Sequence, residues 1–231
     1  MKTISKMRNV IFILLVIMTT IFISNENVFA AEVDNFAELK SAIDGSENEI
    51  IVKGTIIVKE TLHVKNNVKI SGGELKAESS LISSDTDFEI QRRSGNIFYL
   101  EKGKSLTLEN ITLDGNEKAR IIFTEGGSIK LKNAILQNGT TENFGKLEKA
   151  GDDKQNYSGG AILATQVSKL DVTDGSFINN NTGSKYLDAK RAAEGGAIKI
   201  DSSELTVNGT TFTGNHLDSS ADEGGRQGGA I

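Results

Sequence analysis

A four-residue word, Gly-Gly-Ala-Ile, occurs three times in this chain and constrains its fold more than any other feature. The copies begin at Gly159, Gly195 and Gly228, so they are spaced 36 and 33 residues apart. Recurrence of one word at near-equal spacing indicates an internal structural repeat. We therefore expect a fold in which one supersecondary unit is stacked on the next.

A longer apolar phrase, Leu-x-Val-x4-Phe-x2-Asn, begins at Leu170 and again at Leu205. Apolar residues two positions apart point to one face of a strand, and a unit this short buries that face only by stacking on its neighbours. Two earlier copies lie 23 residues apart, which suits a three-sided parallel coil. They comprise Leu106, Leu108, Leu113 and Asn116, and then Ile129, Leu131, Leu136 and Gly139, where glycine replaces the asparagine.

The repeat predicts an all-β fold for residues 31–231, a single-stranded right-handed parallel β-helix, which is a solenoid. Residues 35–43 predict a short helix that caps its N-terminal end, with Asn35 as N-cap and Glu38 completing a capping box. The strand pattern continues upstream through Ile51, Ile57, Leu62, Val64, Val68 and Ile70. A β-sandwich or a propeller is the alternative, but the 23-residue spacing and the glycine pairs before strands favour the coil.

Residues 1–30 have the layout of a secretory signal peptide. Lys2, Lys6 and Arg8 precede an uncharged aliphatic stretch at residues 10–23, and residues 28–30 offer small side chains for cleavage after Ala30. An uncleaved anchor is the alternative, but that stretch is shorter than the roughly 20 residues that a spanning helix needs. We expect a secreted or cell-surface protein whose mature chain has no membrane span.

Charge and composition exclude several classes of function. The chain has 26 basic and 31 acidic residues; the predicted signal holds three basic residues and one acidic residue, which leaves 23 and 30, a net charge of −7. Nucleic acid is an unsuitable partner for so acidic a chain. The chain has no cysteine, so it can form neither disulfides nor zinc–thiolate sites.

The Gly-Gly-Ala-Ile words, together with the phrases at residues 177–180 and 212–215, resemble the repeats of the polymorphic outer membrane protein family. More broadly they resemble pectin-lyase-like right-handed β-helix proteins of bacterial surfaces. The specific repeats cover roughly residues 105–231, and the weaker pattern extends back to about residue 33. The resemblance implies a displayed passenger with a role in adhesion. No barrel or sorting motif follows Ile231, which lies within a repeat, so we expect a chain truncated at its C-terminus.

Catalytic chemistry has few candidates in this sequence. Polysaccharide lyases and glycoside hydrolases need converging carboxylates, often with calcium or a basic residue. The available pairs are Asp171 with Asp174, Asp152 with Asp153, and Asp85 with Asp87, and their positions favour turns over catalysis. Neither histidine, His63 nor His216, has a set of metal ligands nearby in sequence. We expect no catalytic residues, metal or cofactor, and we keep a lyase or hydrolase as the alternative function.

Three insertions of variable length follow the Asn position of the repeat, at residues 140–158, 181–194 and 216–227. Extra residues inside a strand would turn its side chains to the wrong face, so the insertions must leave the coil at one corner. We expect them to stack into a ridge that carries recognition. Tyr157, Tyr186, Lys190, Arg191 and Arg226 are its candidate binding residues, and they predict an adhesin-like module for an extracellular protein or glycan.

Overall fold

The computed structural model describes residues 30–45, 47–85, 87–142, 157–166, 168–183, 194–217 and 228–231. The fold is mostly β, and its strands form parallel sheets. That much of the predicted fold class is confirmed. The predicted signal at residues 1–30 lies outside the described residues, apart from Ala30.

Three sheets hold most of the strands. The first contains, in order, β1 (Ala31–Val33), β2 (Glu49–Val52), β5 (Val68–Ser71), β8 (Ser105–Glu109), β11 (Ser128–Lys132), β14 (Lys169–Thr173) and β18 (Glu204–Asn208). The second contains β3 (Thr55–Val58), β6 (Glu74–Ala77), β9 (Thr112–Asp114), β12 (Ile135–Gln137), β15 (Ser176–Ile178) and β19 (Thr211–Thr213). The third contains β4 (Leu62–Val64), β7 (Asn96–Leu100), β10 (Arg120–Glu125), β13 (Ile162–Thr165) and β17 (Ile198–Ile200). A fourth, small sheet pairs β16 (Asn181–Thr182) with β20 (His216–Leu217).

From β2 onward the chain visits the first, second and third sheets in turn, and we call one such passage a circuit. Each strand pairs in parallel with its counterpart in the next circuit. In the first sheet, Leu106 pairs with Ile129, Ile129 with Leu170, and Leu170 with Leu205. In the second, Leu136 pairs with Phe177 and Phe177 with Phe212. The register that the repeated phrase predicts is therefore confirmed position by position.

The core lies between the three sheets and consists of the alternate, inward-facing residues of each strand. Leu106, Ile129 and Leu170 are all fully or almost fully buried. Leu205 and Phe212 occupy the same positions in the last circuit and are only half-buried, because one neighbouring circuit packs against them rather than two.

Two of the upstream strands, β2 and β3, differ from the predicted alternation by one residue, whereas the other predicted core residues are buried as expected: Leu62, Val64, Val68 and Ile70. Ile51 is only half-buried and Ile57 is 40% exposed, so neither is the core residue of its strand. Ile50 and Ile56 occupy those core positions instead. Each strand carries two adjacent isoleucines, so the pattern alone does not distinguish the inward side chain from the outward one.

Stacked left-handed residues form the corners between the sheets. Asn110, Asn133 and Asp174 follow equivalent strands of the first sheet, with φ of 51°, 48° and 52°. Asparagine and aspartate tolerate this conformation better than other side chains. The Asn-rich composition of the chain thus reflects, in part, the geometry of these corners.

The predicted short helix is confirmed as α1 (Phe36–Asp44) with Asn35 as its N-cap, but Glu38 bonds to the residue before the N-cap rather than closing a capping box. The side-chain oxygen of Asn35 accepts a hydrogen bond from the backbone N–H of Glu38 at 3.1 Å, and the Glu38 carboxylate accepts one from the N–H of Asp34 at 3.3 Å. Leu39, Ala42 and Ile43 form the buried face of the helix, which packs against β1 to β4.

The central strands of the third sheet are buried on both faces, unlike those of the other two sheets. β7 and β10 are buried along their whole length, whereas β8 and β11 alternate between buried and more exposed residues. A second helix, α2 (Phe88–Arg93), lies in the segment that joins β6 to β7. Its arginines contact Glu125 and Tyr99 on the outer face of the third sheet. Among the described residues, no helix has the length and apolar character needed to cross a membrane.

Candidate functional site

The ends of the three insertions are stacked on one another. Thr140 forms a parallel bridge with Asn181, and Asn181 pairs with His216, so the chain leaves the sheets at equivalent points in three successive circuits. Where it returns, the N–H of Gly160 donates to the carbonyl of Gly196 at 3.2 Å. The structure thus brings the described ends of the three insertions to a common corner, as the constant spacing of the repeat predicts.

The predicted binding residues have different outcomes. Tyr186, Lys190, Arg191 and Arg226 lie outside the described residues, and their role stays a prediction. Tyr157 is described and is fully buried, with Ile82 and Leu217 packed against it. Its ring belongs to the packing at the base of the first insertion and is not an exposed contact.

The glycine pairs of the repeated words lie where the chain returns from an insertion to the third sheet, and there the backbones of neighbouring circuits approach closely. Gly159 and Gly195, the first residues of two words, have φ of 66° and 62°, which glycine adopts without strain. A Cβ on Gly160, the second residue of its word, would lie 2.6 Å from the carbonyl oxygen of Gly196. The repeated glycine pairs are therefore explained by backbone packing between circuits rather than by ligand binding.

A buried arginine supports the same return point. Arg120 is fully buried; its Nε donates to the carbonyl of Gly159 at 3.0 Å and its Nη2 to that of Ser158 at 3.0 Å. Its Nη1 donates to the side-chain oxygen of Asn96 at 3.2 Å. Burial lowers the pKa of Arg120 to about 9. The guanidinium thus donates hydrogen bonds to two buried backbone carbonyls at the point where the first insertion ends.

Asn180 has a structural role as well. Its side-chain oxygen accepts the backbone N–H of Gly139 at 2.9 Å, and its Nδ2 donates to the carbonyl of Leu136 at 3.0 Å. These bonds link one circuit to the next, as expected for stacked turn asparagines. Asn116, which occupies the same position of the phrase, also donates to the preceding circuit, but its acceptor is the carbonyl of Ala77 at the end of β6.

The described carboxylate pairs considered for catalysis take part in a corner of the coil and in a helix N-cap. Asp171 is half-buried and forms a 3.9 Å ion pair with Lys169, while Asp174 is exposed in a corner with φ of 52°. Asp85 accepts the N–H of Asp87, and Asp87 caps the N-terminus of α2. Asp152 and Asp153 lie outside the described residues. Within the part of the chain that the structure describes, no group of three acidic or histidine side chains could hold a metal ion.

A polar cleft of about 470 Å³ lies beside the first strand of the third sheet. One side comes from the corner between β3 and β4, and the other from the segment between β6 and β7, which we call the cover segment (residues 78–95). α1 contributes Lys40. The residues lining the cleft are Lys40, Lys59, Glu60, Thr61, His63, Ser79, Leu81, Ile82, Ser83, Ser84, Ile90 and Ser94.

The cover segment is folded by its own polar side chains and by its neighbours. The carboxylate of Asp87 accepts the N–H groups of Glu89 and Ile90 at the start of α2. At its end, Ser94 accepts the N–H of Ser83 at 2.8 Å, which ties the two edges of the segment together. Leu81, two residues before Ser83, has φ of 54°, a strained conformation for a bulky residue.

Charged side chains of α2 attach the cover segment to the outer face of the third sheet. Arg92 donates to the carboxylate of Glu125 at 2.7 Å, and the hydroxyl of Tyr99 donates to the same carboxylate at 3.1 Å. Burial disfavours the charge of Arg92, but Glu89 and Glu125 outweigh it and raise the pKa of Arg92. Burial and the charge of Glu125 raise the pKa of Tyr99 to about 12. The cover segment is thus held by a half-buried ionic network.

His63 forms the floor of the cleft next to Tyr99. The two residues pair across β4 and β7, and their ring centroids are 5.5 Å apart. Burial, followed by the positive charge of Lys65, lowers the pKa of His63, so the ring is neutral near pH 7. It offers one donor and one acceptor nitrogen. Neither nitrogen bonds to a described residue, which leaves both available to a ligand.

The cleft is not apparent from the sequence, in which His63 is considered only as a metal ligand. The cleft depends on the cover segment, which occurs once and is not part of the repeat. The one signal available was the long spacing of 38 residues between Val68 and Leu106, which occupy paired positions of successive circuits. That spacing exceeds the 23-residue unit and marks an insertion.

Comparisons of the chain with protein families, with characterised proteins and with solved structures find no match. The features that bear on function are the fold, the stacked ends of the insertions and the cleft.

Proposed function

We propose that this chain is a secreted or cell-surface binding module, adhesin-like in function, built on a right-handed parallel β-helix. The cyclic visits to three parallel sheets support the solenoid. A connection between parallel strands of one sheet is right-handed in about 98% of cases, which supports the handedness. The resemblance of the repeats to polymorphic outer membrane proteins supports display at a surface.

The observation that carries the binding function is the stacking of the three insertion ends. Thr140, Asn181 and His216 succeed one another in neighbouring circuits, so segments of variable length emerge from one corner of a regular scaffold. Loops held by a rigid scaffold are a common location for recognition. The ridge formed by these insertions is the recognition surface for an extracellular protein or glycan, and the regular faces act as a stalk.

The test is to replace residues 143–156, 184–193 and 218–227 with short Gly-Asn turns and to leave the stacked ends intact. The β-type circular dichroism spectrum should persist, while binding to matrix proteins and glycan arrays should be lost. A matched control carries Lys130→Ala and Thr206→Ala, two substitutions on the outer face of the first sheet. Binding that survives the loop replacement would place recognition elsewhere.

The alternative function, a polysaccharide lyase or glycoside hydrolase of the pectin-lyase-like fold, has one feature in its favour. His63, whose pKa is lowered by burial, and Lys59 both line the cleft. The test is a panel of acidic and neutral polysaccharides, with and without calcium. We expect neither unsaturated nor reducing-end products, and products that disappear in His63→Gln would favour the enzyme.

A further inference from the structure

The part of the cover segment that contains α2 is closed at its base by two hydrogen bonds. The N–H of Gly95 donates to the carbonyl of Leu81 at 2.8 Å, and the N–H of Ser83 donates to the hydroxyl oxygen of Ser94 at 2.8 Å. We call residues 83–94 the flap, of which the structure describes residues 83–85 and 87–94. Leu81 is buried in the core at one end of the base, and Asn96 is fully buried in β7 at the other, so the base is fixed.

We propose that the flap opens as a unit about this base and that the carboxylate of Glu125 is its latch. When the flap is closed, it shields the ring of Tyr99 on the outer face of the third sheet. When it is open, it uncovers this ring and removes one wall of the cleft. The flap thus controls access to the outer face of the third sheet.

The contacts between α2 and the third sheet converge on Glu125. Arg92 donates through Nη1 to one carboxylate oxygen at 2.7 Å, and the Nε of Arg93 lies 3.5 Å from the other. The hydroxyl of Tyr99 and the side-chain amide of Gln166 donate to the same carboxylate, each at 3.1 Å. The guanidinium of Arg93 lies 5.5 Å from the centroid of the Tyr99 ring, which is 5% exposed. One carboxylate on the sheet therefore holds both arginines of the flap and places one of them over the ring.

Among the described side chains of the flap, apolar packing contributes little to holding it closed. The flap has two apolar residues, Phe88 and Ile90, and the side chain of Ile90 is 45% exposed and lines the polar cleft. A helix of six residues, such as α2, is not stable on its own in water. A segment with few buried apolar contacts opens at a lower free energy than the fold around it.

The base of the flap has the backbone geometry of a hinge. Leu81 and Gly95 have φ of 54° and 80°, and glycine adopts such values without strain whereas leucine does not. Strain of this kind clusters in switch regions. The sheet does not depend on the flap, because β7 pairs with β4 and with β10 through backbone hydrogen bonds. Opening therefore leaves the circuits in register.

Hydrogen exchange followed by mass spectrometry on the purified chain tests the proposal, with hydroxyl-radical footprinting of Tyr99 as the second readout. Glu125→Gln removes the charge of the latch and keeps its size. Exchange in peptides that cover residues 83–94 should rise by about tenfold, the loss expected for one hydrogen bond to a charged group. Tyr99 should be oxidised faster, and peptides that cover β8 and β11 should exchange as before.

Glu109→Gln is the matched control. The Glu109 carboxylate lies 3.2 Å from the amine of Lys69 and 2.8 Å from that of Lys132, so the substitution also breaks two ion pairs, but on the first sheet. Exchange of the flap should not change in this variant.

Arg92→Gln removes the latch from the side of the flap and serves as the second test if Glu125→Gln destabilises the sheet. Because the two residues act through one contact, the double variant should exchange little faster than the faster single variant.

Four results would overturn the proposal. Unchanged exchange of the flap in both Glu125→Gln and Arg92→Gln would show that their contact is not a latch. An equal rise of exchange in β7 and β10 would show that Glu125 holds the sheet rather than the flap. Additive effects of the two substitutions would assign them to separate contacts. Faster exchange without faster oxidation of Tyr99 would show that α2 frays in place and that the flap does not open as a unit.

Discussion

The side-chain oxygen of Asn215 accepts two hydrogen bonds from Asn180, one from its backbone N–H at 3.0 Å and one from its Nδ2 at 2.9 Å. An equivalent backbone contact is found one circuit earlier, where the side-chain oxygen of Asn180 accepts the N–H of Gly139. The recurring asparagine thus replaces a backbone acceptor at the corner where each insertion begins. It keeps the end of β15 in register while the following segment varies in length.

Replacement of Asn180 with alanine should destabilise the fold. The substitution leaves the N–H of Gly139 and the carbonyl of Leu136 without these bonds, at a site with no solvent access. A buried polar group left unpaired costs about 1–3 kcal/mol, so the free energy of unfolding should fall by about 2–4 kcal/mol in urea titrations. Asn215→Ala is the matched control, because Asn215 is only half-buried and should cost less. Equal losses of unfolding free energy in the two variants would contradict the larger structural role of Asn180.

A methyl group at Gly160 should destabilise the protein, whereas one at Gly229 should not. A Cβ at Gly160 would clash with the carbonyl oxygens of Asn181 and Gly196, but a Cβ at Gly229 has no described atom within 4 Å. Overpacking of this kind costs about 1–3 kcal/mol. Thermal unfolding of Gly160→Ala and Gly229→Ala compares the same substitution in two copies of one word. A similar melting temperature for both variants would show that the circuits separate easily.

Substitution of two stacked phenylalanines should lower the free energy of unfolding by different amounts. The rings of Phe177 and Phe212 lie 5.0 Å apart and nearly parallel, but Phe177 is fully buried and Phe212 is half-buried. Phe177→Ala should lower the free energy of unfolding by about 3–5 kcal/mol, the usual cost of emptying a core phenylalanine site. Phe212→Ala should cost distinctly less. Equilibrium unfolding of both variants measures the difference, and a larger loss at Phe212 would rule out this order of the circuits.

The sequence predicted the parts of the fold that repeat. Leu106, Ile129, Leu170 and Leu205 align in the structure as their spacing requires, and the cap at Asn35 forms as expected. These features follow from strand periodicity and helix capping, which act over a few residues. The alignment of circuits then follows because a shift by one residue would expose every core side chain.

The sequence did not predict the cover segment, the two-sided burial of the third sheet or the cleft. Arg92 and Glu125 are 33 residues apart and meet only after β7 and β10 have paired. The continuous apolar runs of β7 and β10 were a signal of two-sided burial, since strands covered on both faces lose their alternation. His63 gave no such sign, because its surroundings come from two different circuits.

The lowered pKa of His63 predicts a loss of stability on acidification. Burial and the charges of Lys65 and Lys40 lower this pKa, and Glu101 and Asp44 oppose them only in part. Well above pH 6.5 the histidine is neutral in both the folded and the unfolded chain, and it does not affect stability. As the pH falls below about 6.5, the unfolded chain binds a proton before the folded one does, so stability declines until the pH reaches the folded pKa.

His63→Gln should remove this contribution, so its free energy of unfolding should decline less than that of the unaltered chain between pH 8 and pH 5. Urea titrations at several pH values measure the two slopes, and carboxylates contribute to both chains alike. His216→Gln, on an exposed strand, is the control for loss of a histidine as such. If the slopes of His63→Gln and the unaltered chain coincide, the His63 ring is protonated as readily in the folded chain as in the unfolded one. Its neutral form would then not be available for binding in the cleft at mildly acidic pH.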